Sequence, residues 1–197
     1  VLSAAFADDT FEASPTYDDL ASYVISLTTR RGRTSEFEKI GTGESSVRLE
    51  NRDGAFDPTN VGSPYSGELL PLRQSKISFA NPVLGGSAKN IFSGYIESFD
   101  YSRQGPRGAI AVAQLVDLME LFANADVRTD TNGRLYGSAF AAQHVDDRIK
   151  AALADGGWDP ARSRVTTGNV NVQAALYESG RKLLEVIQDA ADAEFPN

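Results

Sequence analysis

Cysteine is absent from the 197 residues, so no disulfide framework and no thiolate zinc or iron-sulfur site can form, and the redox compartment leaves no mark on the sequence. Histidine occurs once, at His144, which excludes a multi-histidine metal site built by one chain and leaves only carboxylates for metal chemistry. No apolar run approaches the roughly 20 residues that span a bilayer. The N-terminus has no basic region ahead of an apolar stretch, so a soluble chain that spans no membrane is expected. Basic residues are outnumbered 19 to 27, and the net charge of -8 argues against phosphate-backbone binding driven by counterion release. The one basic cluster, Arg30, Arg31 and Arg33 around Gly32, reads as a solvated turn.

What is present suffices for a folded protein: the hydrophobic share of 41% is ordinary for a globular chain, and the length allows one large domain or two small ones. From Phe6 to about Val127, short apolar runs separated by Gly, Pro, Asn and Asp mark a meander or barrel of antiparallel strands. Val24 to Thr29 is a β-rich run. Val47 and Leu49 alternate with Ser46, Arg48 and Glu50, the period of a half-buried strand that ends at Asn51. Ile77 and Phe79 continue the alternation, Ile91, Gly94 and Ile96 are set against Phe92, Tyr95 and Phe99, and Gly85 to Asn90 reads as the hairpin tip between them. Ala109 to Leu115 is expected to be the last strand, followed by a short helix through Leu118, Leu121 and Phe122 that closes the barrel.

A polar stretch, Arg128 to Gly137, then sets a domain boundary, giving a β domain over residues 1–127 and a helical subdomain over 128–197. In the latter, Val145, Ile149 and Leu153 recur at helical spacing, with Ala142 and Ala152 beside them, until Gly156 and Gly157 stop the helix. A second helix is expected to start near Ser179 as N-cap, with Leu183, Leu184, Ile187, Ala190 and Ala191 in one stripe. The fold class expected is therefore α+β, mainly β. Val1 in place of methionine, and an end just past a helical pattern, are what a segment of a longer polypeptide would show.

The most distinctive string follows the Val47 strand: Asn51, Arg52, Asp53, Gly54, Ala55, Phe56, Asp57, Pro58. Glycine after aspartate gives a tight turn, and Pro58 keeps the stretch from being a central strand, so Asn51, Asp53, Gly54, Asp57 and Pro58 are assigned to a structural turn. Asn51, Asp53 and Asp57 also offer oxygens at a spacing like that of a calcium loop, but the glutamate at the twelfth position is missing, and turn formation is the default.

The order of motifs carries a resemblance. Tyr23-Val24 leads to Gly32-Arg33, Gly41-Thr42-Gly43, the Val47 to Pro58 strand and loop, Leu70-Pro71, Ile77, and Phe92-x-Gly94-Tyr95-Ile96. Over residues 17 to 120 this order resembles the N-terminal region of the hub or minor tail proteins of long-tailed bacteriophages, which are related to the baseplate hubs of contractile tails. The resemblance implies a non-enzymatic virion protein at the tail tip. It implies a β-barrel ring, usually a trimer, that stacks under the tail tube, contacts distal tail proteins and lets DNA pass through its lumen without specific binding. No cofactor is implied.

Other constellations read more plainly as structure. The pairs Asp8-Asp9, Asp18-Asp19 and Asp146-Asp147 cannot each form a two-acid site, because neighbouring side chains diverge. No G-x-S-x-G elbow accompanies His144, and no phosphate-binding glycine loop is present. Trp158 and the Tyr95, Phe99, Tyr101 run are the aromatics able to stack on sugars, the basis of an alternative reading as a carbohydrate- or receptor-binding virion domain.

Overall fold

The computed structural model describes residues 1–31, 41–80, 87–103, 109–127, 141–177 and 180–194. They form two compact units, Val1–Leu118 and Met119–Asn197. The polar stretch in which the sequence places a boundary lies outside the described residues; the units part earlier in the chain, between Leu118 and Met119.

The first unit is a seven-stranded antiparallel sheet of β1 (Leu2–Ala4), β2 (Asp18–Asp19), β3 (Val24–Arg30), β4 (Glu44–Glu50), β5 (Gln74–Phe79), β6 (Lys89–Arg103) and β7 (Ala109–Val116), in the order β2-β1-β5-β6-β7-β4-β3. Strand β4 shows why these residues choose this form: Ser45, Val47 and Leu49 are buried, while Arg48 between them is exposed, so the period of two puts one face on the core. Opposite Val47 and Leu49 stand Ala113 and Ala111 of β7, small residues that leave room beneath the sheet for aromatic rings. The core there joins Phe6, Phe56, Phe92, Ile77, Ile96 and Leu115, with Tyr23, Tyr65 and Phe99 packed against it. The α+β, mainly β class expected from the sequence is the class observed.

Among the described residues the ladders do not close into a barrel. Yet the strands at the two ends of the order, β2 and β3, are consecutive in the chain and separated only by Leu20 and the 3-10 turn Ala21–Tyr23. The five Cα-to-Cα steps from Asp19 to Val24 reach at most about 18 Å, so the sheet must curl to bring its two edges towards each other. Leu20, at that seam, is buried and donates its amide to Leu2 O at 2.9 Å.

Strand β6 departs from the sequence reading. Phe92, Gly94 and Ile96 share the core side, whereas Ile91 was expected with Gly94 and Phe92 against them. Two bulges are the cause: pairing shifts between Ile77 and Ser78, which leaves Ile91 unpaired, and again between Ile96 and Ser98, which leaves Glu97 unpaired. Each extra residue resets the alternation, so Phe99 regains the core side opposite Ala113. The hairpin tip foreseen from Gly85 falls partly outside the described residues, and Lys89 and Asn90 are already strand.

The second unit contains α1 (Leu118–Asn124, from Met119 on), α2 (Val145–Asp155), α3 (Leu183–Glu194) and a two-residue ribbon, β8 (Gln143–His144) with β9 (Asn171–Val172). Helix α1, expected to close the barrel, buries Phe122 over Gly156, where an added Cβ would sit 2.5 Å from Phe122 Cε1. Gly157, at φ +86°, provides the left-handed residue that ends α2. Ser179 lies outside the described residues; α3 starts at Leu183, and its buried face is Leu183, Val186, Ile187 and Ala190, not Leu184 or Ala191. Ala142 is exposed and precedes α2. Among the described residues no helix is long and apolar enough to cross a membrane.

Gly94 fixes the closest approach in the sheet: a Cβ there would stand 2.1 Å from Val116 O and 2.8 Å from Phe92 Cε1. Backbone cannot yield as a side-chain tip can. Gly94→Ala is expected to lower stability by about 1–3 kcal/mol, read as a lower urea midpoint with an unchanged slope.

Candidate functional site

The loop after β4 is a spiral of linked turns. Gly54 N donates to Asn51 O, Asp57 N to Gly54 O, Asn60 N to Asp57 O, Ser63 N to Asn60 O and Ser66 N to Ser63 O, at 3.1, 3.2, 3.0, 3.0 and 3.2 Å. Every bond spans three residues, and after the first turn each acceptor residue is the donor of the turn before. The sequence encodes this locally: Asp57 and Ser63 start turns whose second residues are Pro58 and Pro64, both already at the φ that position needs. Gly54 closes the first turn at φ +71°, where a Cβ would also meet Asn60 Nδ2 at 2.9 Å.

Side chains of the same residues lock the spiral. Asn51 Oδ1 accepts from Phe56 N at 2.8 Å, Asp53 Oδ1 from Ala55 N at 3.1 Å, and Asp57 Oδ1 from Thr59 N at 2.9 Å and Thr59 Oγ1 at 2.7 Å. Asn60 Nδ2 donates to Gly54 O at 3.0 Å, and Ser63 Oγ to Ala55 O at 2.5 Å. The outcome is placement of Phe56, fully buried, with its ring 5.0 Å edge-on from Tyr23 and stacked at 5.7 Å on Tyr65 and 6.2 Å on Phe99. Thus Asn51, Asp53, Gly54, Asp57 and Pro58 all lie in one loop whose backbone they hold. One oxygen each of Asn51, Asp53 and Asp57 is turned to a backbone amide, and among the described residues no three acidic or histidine side chains gather as a metal group.

A polar groove of about 350 Å³ opens beside this loop, lined by Asn51, Asp53, Asp57, Asn60, and by Tyr101 and Ser102 of β6. Arg52 is at its rim, tied to Glu50 at 2.7 Å. Tyr101 is 49% exposed. Burial raises the pKa of Tyr65 above its ordinary value, and burial with the nearby Asp53 carboxylate, 3.4 Å from the hydroxyl, does the same for Tyr23, so both phenols stay neutral.

The other residues singled out in the sequence are dispersed. Tyr95 is buried against Phe11, and half-buried Trp158 carries the Arg162 guanidinium 4.4 Å above one face of its ring. Asp19 caps the 3-10 turn through Ala21 N at 2.8 Å. Arg31 donates to Ile91 O, Arg30 lies near Glu44, and Arg33 is outside the described residues. His144 is exposed at the start of α2. Asp146 and Asp147 separate, as adjacent residues should: Asp147 is exposed, whereas Asp146 is buried and accepts from Lys150 Nζ at 2.8 Å and Gly168 N at 3.1 Å.

Two features escaped sequence reasoning. Arg148, 2% exposed, donates to the carbonyls of Ala141 and Gln173 at 3.0 and 2.8 Å and to Tyr177 Oη at 3.2 Å, gathering three segments around α2. Its position on the buried side of an amphipathic helix was the only sign. The spiral's period of three was legible in principle, because Asn51, Asp57, Asn60 and Ser63 are turn formers spaced by multiples of three.

No protein-family model matches the chain, and no curated protein matches it. Among solved structures, the crystal structure of the tail protein from Neisseria meningitidis MC58 is similar over 84% of this chain, with a TM-score of 0.54 and 10% identity. The chain spans 40% of that protein's chain. At this identity the likeness is one of fold: the chain has a fold that a tail protein uses.

Asn51→Ala is expected to cost about 1–3 kcal/mol, because the buried Phe56 amide loses its acceptor, whereas Thr59→Ala, at an exposed turn, should stay within about 0.5 kcal/mol; urea unfolding of both variants checks the contrast. In the helical unit, the hydrogen bond from Lys150 and then that from Gly168 N hold the Asp146 pKa below its ordinary value. Its contribution is complete above the ordinary carboxylate range and is lost as pH falls through the lowered folded value. The Lys150 pKa is raised by the same bond, so its contribution is complete below the ordinary lysine range and fades as pH rises through the raised value. Stability followed by helical circular dichroism should be level near neutrality and show an acid step that Asp146→Asn removes.

Proposed function

We propose that this chain is a non-enzymatic structural component of a bacteriophage tail, placed at the tail tip as a hub ring that joins the tail tube to distal proteins. The observation that carries the reading is the fold shared with a tail protein over 84% of the chain, together with the order of motifs along the sheet. The edge of the sheet supports ring assembly. Strand β3 ends the strand order, is seven residues long, and leaves Ile25 and Leu27 54% and 40% exposed. It has neither proline nor lysine to blunt it, which is how lone monomers usually protect an edge. A neighbouring copy would cover it, and repetition around an axis would give a closed ring. The net charge of -8 suits a lumen through which DNA slides without adhering.

An electron cryo-microscopy map of the intact particle tests this: density for a ring of this chain at the distal end of the tail tube is expected, and its absence from the tail would overturn the reading. Exchanging Ile25 and Leu27 together for lysine should lower the assembled mass measured by light scattering while leaving the β-sheet circular dichroism unchanged.

A further inference from the structure

Strand β3 offers one assembly surface, and a cyclic ring of three or more copies needs two: its contacts are heterologous, so a patch on one copy meets a different patch on the next. We propose that the second surface is the corner Leu70-Pro71-Leu72, seated against Ile25 and Leu27 on the β3 edge of a neighbouring copy. This pairing rests on the ring reading above and supplies the face that such a ring requires.

The corner is a run of three apolar residues, all exposed, with Leu70 at 48% and Leu72 at 39%. Leu72 sits at φ +63°, the one non-glycine residue at positive φ among those described, a conformation that a side chain of its bulk rarely adopts. Backbone bonds hold it there: Leu72 N donates to Ile96 O at 2.6 Å and Ile96 N to Arg73 O at 2.9 Å, which fastens the corner to the middle of β6. Pro71 fixes its own φ beside it. A leucine kept in a disfavoured conformation with its side chain in water is the kind of outlier that marks a contact surface, and covering it removes apolar area from solvent.

Charge selects this corner over Phe79 and Ile91, another exposed apolar pair on neighbouring strands. Lys89 stands opposite Phe79 in the β5–β6 ladder, and Arg31 donates to Ile91 O, so the rim of that pair is basic. The β3 edge is basic too: it contains no acid and ends at Arg30, which lies 3.9 Å from Glu44 and keeps its side chain 72% exposed. Like charges brought together across a contact oppose it. The corner has an acidic rim instead. Glu68 accepts from Leu70 N at 2.8 Å through its carbonyl, and Glu97 follows Ile96 at the bulge, exposed.

Two disabled chains, mixed, test the contact. One carries Ile25→Lys and Leu27→Lys and lacks the edge; the other carries Leu70→Ser and Leu72→Asn and lacks the corner, asparagine being tolerated at positive φ. By light scattering, wild type is expected to assemble and each variant alone to have the mass of a single chain. Together they retain one intact corner and one intact edge, so the equimolar mixture should reach twice that mass and stop. Glu97→Lys, at an exposed position, should weaken assembly of the otherwise wild-type chain about fivefold at low salt and less at high salt. Assembly of the Leu70 and Leu72 variant to the wild-type mass, or a mixture that stays monomeric while wild type assembles, overturns this pairing and leaves the ring reading standing; wild type that stays a single chain overturns both. If circular dichroism shows that the corner variant has lost its sheet, Glu97→Lys decides, and assembly equal to wild type at low salt overturns the pairing.

Discussion

One hydrogen bond, from Phe56 N to Asn51 Oδ1, connects the loop to the core of the sheet. Phe56 comes from irregular chain, yet it is fully buried and its ring touches Tyr23, Tyr65 and Phe99. A buried amide outside any ladder must find an acceptor, and Asn51 supplies it from within the same loop. The aromatic cluster under the sheet depends on that ring being where it is. Asn51 N in turn donates to Ala109 O at 2.9 Å, so the loop's first residue is also the last rung of the β4–β7 ladder.

Much of this was legible. Strands β4 and β7 follow the alternation of Val47, Leu49, Ala111 and Ala113, and α2 follows Val145 and Leu153 to a glycine stop. The failures have specific causes. In strand β6, Ile91, Gly94 and Ile96 were set against Phe92, Tyr95 and Phe99, but the bulges at Ile91 and Glu97 each shift the phase, and no local residue type announces a bulge. Strand β1 was overlooked because three residues, two of them small, carry no period; its place between β5 and β2 is a long-range matter. The apolar stripe of α1 says that a face is buried, not against what; within its own unit Phe122 lies against Gly156.

The candidate site shows the same division. The turn residues Asn51, Asp53, Gly54, Asp57 and Pro58 declare themselves by chemistry that acts within a few bonds. Tyr101 does not, because its exposure depends on how far β6 runs past its neighbours; Tyr95, six residues earlier on the same strand, is buried. Arg148, three residues after Val145 on the buried side of α2, is an interior tie that sequence reasoning did not single out.

The seam between β2 and β3 has a mechanical consequence. In a closed barrel, strand number and shear fix the girth, and any change of bore must break a whole ladder. Here the chain passes from one edge of the sheet to the other through Leu20 and a single 3-10 turn, without a ladder joining the edges. The girth is therefore not fixed at that line by a shear number; the short link through Leu20 bounds how far the two edges stand apart, while every strand pair elsewhere holds its own register.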